Sequence, residues 1–161
     1  MKLKKPRLRA WLFSAQKKLT LFCTVLGVLS ITGSAVAAQT RAVFVVQSDR
    51  GGWIVQRSKK IRDLRATGQR VELRGSCLSA CTMYLSLPSA CISPSATFGF
   101  HGPTRNGQQL SKREFDYFSR ILADNYKEPL RSWFMTEARY RTVGYYKFTG
   151  AQLISMGYSR C

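Results

Sequence analysis

The 161-residue chain has one histidine, His101, so any serine or cysteine activated by an imidazole has a single base to draw on. Hydroxyls are plentiful, and the base therefore decides which of them matters. The stretch GSCLSACTMYL, Gly75 to Leu85, sets Ser79 between Cys77 and Cys81 ahead of an apolar run. Three roles compete for Ser79: the N-cap of a short helix, a spacer between two disulfide cysteines, or a nucleophile at a helix mouth. Cap and nucleophile are compatible. Free N–H groups and the positive dipole end lie beside a residue that opens a helix. The same groups suit the oxyanion formed when a hydroxyl attacks a carbonyl. Taken alone, a single histidine after TFGF is more often structural than catalytic.

The elements that must position these residues follow from periodicity. AVFVVQS, Ala42 to Ser48, reads as a buried strand, broken by DRGG. WIVQRSKKIRDLRATG carries Trp53, Ile54, Ile61 and Leu64 at helical spacing, with Gly68 as its stop. QRVELRG is a second strand, SACTMYLSLP a short apolar helix closed by Pro88, ACIS a third strand and TFGFHG a fourth extended piece. Alternating strands and helices predict βαβ units and a parallel sheet, hence an α/β fold. A helical arm follows, with Phe115, Phe118, Ile121, Leu122 and Tyr126 on one stripe, and Pro129 separates it from a second helix. Thr149 caps a last helix and Gly157 stops it. In a parallel sheet, the loop SDRGG and the Gly75–Ser79 segment would meet at the carboxyl edge, where ligand sites form. Gly52 is then a second candidate oxyanion donor, because glycine allows close backbone approach.

Composition bounds the setting. The first 18 residues carry seven Lys or Arg and no acid, an uncharged run of about 15 residues follows, and SAVAAQ supplies small residues of Ala-x-Ala type. This pattern predicts a secretory signal over residues 1–38, cut after Ala37 or Ala38, or a membrane anchor if it is kept. Residues 39–161 then form one domain, exported to the periplasm or cell envelope. Losing the seven basic residues takes the formal charge from +18 to +11. Such a charge suits an anionic membrane surface; a solvated basic face with no specific partner is the plainer alternative. No nucleic-acid-binding motif, heptad seam or internal repeat is present.

Cys23 lies in the apolar run. The other four cysteines, Cys77, Cys81, Cys91 and Cys161, are an even count in a small exported chain and predict two disulfides. Cys91 is expected to pair with Cys77 or Cys81, and Cys161 with the other. A zinc site would need two close cysteine pairs, and only Cys77 and Cys81 are close, so no metal is expected. Cys77 or Cys81 could serve as a nucleophile with His101, but an oxidising space caps thiols. The Gly-x-Ser-x-Gly elbow, phosphate loops and dinucleotide fingerprints are absent, and no cofactor is implied.

In order and spacing, these segments resemble the Clp protease proteolytic subunit and, more widely, the Clp protease/crotonase-like superfamily. They look closer still to exported, cysteine-bearing relatives of that protease. VQSDRGGWIVQRSKKIRD resembles that family's strand, Gly-Gly loop and helix; GSCLSACTMYL its Gly-x-x-x-Ser segment; PSATFGFH the strand ending in its histidine; and KFTGAQLISMGY its closing helix. The likeness extends over about 85 of the 123 residues after position 38. It implies a small spiral of βαβ units with a helical arm, and a serine peptidase-like hydrolase acting on a peptide or other acyl substrate. Ser79 would be the nucleophile, His101 the general base, and the N–H groups of Gly52 and Ala80 the oxyanion hole. Homo-oligomeric assembly is a further family trait. One position departs: the family's aspartate would fall near Tyr146, where no acid stands. Tyr146, Asp116 and Asp124 are the alternatives for orienting the histidine. The rival to an enzyme is a non-catalytic envelope or interaction protein that keeps the fold.

Overall fold

A computed structural model describes residues 42–161; the predicted signal or anchor over 1–38 lies outside the described residues. Five strands, β1 (Phe44–Asp49), β2 (Val71–Leu78), β3 (Ala90–Ile92), β4 (Thr97–Phe100) and β5 (Tyr146–Thr149), form one mixed sheet. Its order is β1-β2-β4-β5, with β3 also pairing to β2. The first four strands pair in parallel, and β5 closes the sheet antiparallel to β4. Four α-helices accompany them: α1 (Ile54–Thr67), α2 (Lys112–Ala123), α3 (Leu130–Thr136) and α4 (Gly150–Ser155). The class is α/β, as the alternating pattern predicts. The periodicity did not signal β5: its four residues show only a half-buried alternation, too short to register before the helix that follows.

The central strands bury apolar side chains on one face, while the other face of β2 carries Glu72 and the exposed Arg74. Val71, Leu73, Phe98 and Phe100 are all at most 1% exposed. A fully buried side chain of this size contributes about 1.5–3 kcal/mol, so β2 and β4 supply much of the core. β1 bulges onto β2 between Val46 and Ser48. The approach requires Gly75, because a Cβ there would lie 1.8 Å from the Gln47 carbonyl oxygen.

The apolar run after Ser79 folds as a 3₁₀ helix, Ser79–Ser86, with six of its residues buried. Tight turns of this kind are common connectors. Thr149 caps α4 by accepting from Gln152 N, and Ser111 caps α2 in the same reciprocal way with Glu114. On α1 the burial is narrower than the spacing suggests: Ile61 and Leu64 are buried, but Trp53 is 64% exposed, because it stands ahead of the first helical turn.

All four cysteines of the described residues are in disulfides, as their even count predicts, but the pairing differs from expectation. Cys77 joins Cys81, and Cys91 joins Cys161. Sheet register explains the correction. Cys91 sits opposite Glu72 near the start of β2. Cys77 lies five residues further along that strand, roughly 16 Å away and well outside the about 7 Å a disulfide can bridge. The turn into the 3₁₀ helix instead brings Cys77 and Cys81 to a Cα separation of 5.3 Å. The C-terminal tail docks on β3, with Cys161 N donating to Ile92 O at 3.0 Å.

Candidate active site

β1, β2 and β4 are successive neighbours running in one direction, so their carboxyl ends share an edge. The residues just past those ends are the loop from Arg50 to Trp53, then Ser79, then His101. Parallel topology alone thus gathers three segments that lie far apart in sequence.

The Ser79 Oγ lies 2.7 Å from His101 Nε2. Ser79 has φ +55°, one of two non-glycine residues with positive φ among those described. A β2-to-3₁₀ turn this sharp lifts the side chain clear of the strand, and a sparsely populated backbone state of this kind costs about 1–3 kcal/mol. Its surroundings hold it there. Thr82 Oγ1 donates to the Ser79 carbonyl at 2.7 Å, and the same hydroxyl meets the buried Tyr126 OH at 2.7 Å. The Cys77–Cys81 disulfide closes around the turn. Ser79 does not act as an N-cap. Leu78 occupies that position without a side-chain bond, and the Ser79 hydroxyl turns to the imidazole instead.

His101 leaves the end of β4, and Gly102 N donates to Arg141 O at 2.8 Å, fixing the chain beyond it. Burial holds the imidazole below its usual pKa, offset in part by a backbone hydrogen bond at Gly102. The ring is therefore neutral at neutral pH, the form a general base requires. Tyr145 stands edge-on to it, with centroids 5.0 Å apart and planes at 90°. Gly99 makes room for that tyrosine, since a Cβ at 99 would lie 3.1 Å from its ring.

None of the three expected orienting groups makes a contact with His101. Asp116 is held by Lys112 and Arg139, whose hydrogen bonds keep its carboxyl below the usual range. Asp124 bonds Arg131 at 2.7 Å on the surface. The Tyr146 ring lies under the Arg141 guanidinium at 4.1 Å and packs against Trp133. Tyr146 opens β5 opposite Phe100, and Tyr145, in the loop just ahead of the strand, is the tyrosine that meets the imidazole.

Gly52 and Ala80 flank the pair. Ala80 is the second residue of the 3₁₀ helix, where N–H groups lack partners within the helix. Gly51 and Gly52 have φ +101° and +110°. A Cβ on Gly51 would come within 2.6 Å of Ser79 Cβ and 3.0 Å of Ala80 N, so the loop presses directly on the serine turn. Gly52, Ser79 and His101 open onto a cavity of about 340 Å³ with Trp53, Ile54, Phe118 and Tyr145 in its walls. Arg105 also borders it, paired with Glu114 at 2.7 Å.

Sequence reasoning missed the parts that do not announce themselves by spacing. Tyr145 needed the strand register, and the cavity wall from Pro103 to Gly107 needed the path of the loop after His101. Among the described residues no cluster of metal-ligating side chains occurs, and no helix is long and apolar enough to cross a membrane. Neither a family model nor a curated protein matches the chain.

Proposed function

We propose that the protein is an exported serine peptidase-like hydrolase that uses Ser79 and His101 on a peptide or other acyl substrate, built on a small Clp protease/crotonase-like spiral. One observation carries this reading: a hydroxyl on a strained strand-to-helix turn lies 2.7 Å from the chain's only imidazole, beside a cavity. His101 Nε2 takes the Ser79 proton as Oγ attacks the carbonyl carbon. The Gly52 and Ala80 N–H groups receive the oxyanion. The protonated imidazole then gives its proton to the leaving group, and water repeats the sequence to release the acid and free Ser79. Two disulfides among the described residues agree with an oxidising compartment, and so with export.

One observation favours the rival reading, a non-catalytic interaction protein on the same scaffold: no carboxylate contacts His101 among the described residues. Without that group the imidazole tautomer is less firmly fixed, and in the Ser-His-Asp template its loss costs about 10⁴ in turnover. A fluorophosphonate probe separates the two. Labelling of the folded, oxidised chain that disappears in Ser79→Ala and falls sharply in His101→Ala fits the hydrolase; an unlabelled wild type fits the interaction protein.

A further inference from the structure

Arg57 stands on the first turn of α1 and points back beneath the loop that precedes the helix. Its Nη2 donates to Gly51 O at 2.9 Å and to Asp49 Oδ1 at 2.9 Å. Asp49 Oδ2 lies 2.7 Å from the same nitrogen. Asp49 Oδ1 in turn accepts from Gly51 N at 2.8 Å, so both polar groups of Gly51 are held. Nη1 donates to the Tyr84 hydroxyl, and the guanidinium lies 4.5 Å from the centroid of that ring. The Arg57 and Asp49 side chains are 12% and 21% exposed, so the pair is shielded and its geometry narrow.

The consequence lies in the peptide plane. The Gly51–Gly52 bond is trans, and in a trans peptide the carbonyl and the following N–H point in opposite directions. With Gly51 O drawn towards Arg57, the Gly52 N–H faces the other way, on the side where Gly52 borders the cavity with Ser79 and His101. Two consecutive glycines at φ +101° and +110° have little intrinsic preference against a peptide flip. The flip would turn the carbonyl oxygen, rather than the N–H, towards the substrate. Tyr84 belongs to the 3₁₀ helix that carries Ala80, so one guanidinium ties together the loop and the helix that bear the two oxyanion donors.

The geometry points to Arg57, anchored by Asp49, as the positioning residue that sets the Gly52 N–H for the oxyanion of an acyl-transfer intermediate. This rests on the hydrolase reading above. Arg57 touches no reacting atom. It acts through the Gly51–Gly52 peptide, and its effect belongs to the transition state rather than to substrate binding. Lysine cannot replace it, because an ammonium does not present the planar fork that reaches Gly51 O, Asp49 and Tyr84 together.

The test is steady-state hydrolysis of p-nitrophenyl butyrate by the full-length oxidised chain, with fluorophosphonate labelling in parallel. Loss of one oxyanion donor costs about 10²–10³ in kcat, so Arg57→Gln and Arg57→Lys are each expected to lower kcat at least tenfold with KM within about twofold. Asp49→Asn, which keeps the side-chain volume, is expected to do the same and provides the reading if the arginine variants fail to fold. Arg65→Gln, on the same helix but bonded to Ser86, is expected to behave as wild type. Unchanged kcat in folded Arg57→Gln or Asp49→Asn, or a loss confined to KM, overturns the positioning role while leaving the hydrolase intact. A wild type that neither labels nor turns over the ester overturns both.

Discussion

The rings of His101 and Tyr145 meet edge to face, 5.0 Å apart at 90°. An aromatic wall therefore stands beside the imidazole, and among the described residues no carboxylate contacts it. The contact is made by the ring rather than the hydroxyl, which gives a sharp expectation. Tyr145→Phe should retain near wild-type ester hydrolysis. Tyr145→Ala should lose about 0.5–1.5 kcal/mol of positioning, or about 2- to 10-fold in kcat. Equal losses in both variants would show that the hydroxyl matters instead.

Acidity should switch the site off. Burial holds the His101 pKa below 6.5, so kcat/KM should be flat near neutral pH and fall on the acid side with a midpoint under 6.5. The same displacement bears on folding. As pH drops, the unfolded chain takes up the proton first, so stability also declines towards acid and gains nothing above the unfolded value. A pH–rate profile and chemical denaturation at several pH values check the two effects separately. An acid limb centred above 6.5 would contradict the buried, neutral imidazole.

The glycine loop should be intolerant in two different ways. Gly51→Ala places a Cβ 2.6 Å from Ser79 Cβ at φ +101°, so the serine turn must shift and turnover should collapse. Gly52→Ala meets no atom within 4 Å, but its φ of +110° disfavours any L-residue. The strain should cost about 1–3 kcal/mol, with loss of turnover as the backbone relaxes. Thermal melts and ester kinetics on both variants check this.

The two disulfides should divide their work. Cys91–Cys161 closes a sequence separation of 70, which in the chain-entropy model stabilises by about 4 kcal/mol. Cys161→Ser should therefore lower the melting temperature markedly while leaving Ser79 labelling intact in the folded fraction. Cys77–Cys81 spans only four residues, so Cys77→Ser with Cys81→Ser should cost less stability and more activity. Thiol titration of the denatured, unreduced protein should find none of these four cysteines free.

What was legible in the sequence was local. The β-branched run of β1, the cap at Thr149 and the strand ending in TFGF could each be read from neighbours alone, and with them the α/β class. The proximity of Ser79 to His101 was a consequence of parallel strand order, which spacing suggests only through a resemblance. The disulfide pairing was missed because it depends on sheet register, which places Cys91 at one end of β2 and Cys77 at the other. Tyr145 was missed by one position, because which of two adjacent tyrosines meets the imidazole depends on how the loop enters β5. Arg57 gave no sequence signal at all. Its partners at 49, 51 and 84 meet only once the chain has turned from β1 into α1 and the 3₁₀ helix has packed beneath it.

The most direct measurement is the mass of the protein quenched during turnover of p-nitrophenyl butyrate, followed by peptide mapping. A single butyryl adduct is expected on the peptide that contains Ser79, absent from Ser79→Ala and formed far more slowly in His101→Ala. A folded, oxidised protein that never acquires the adduct, or acquires it on another residue, would contradict the hydrolase reading.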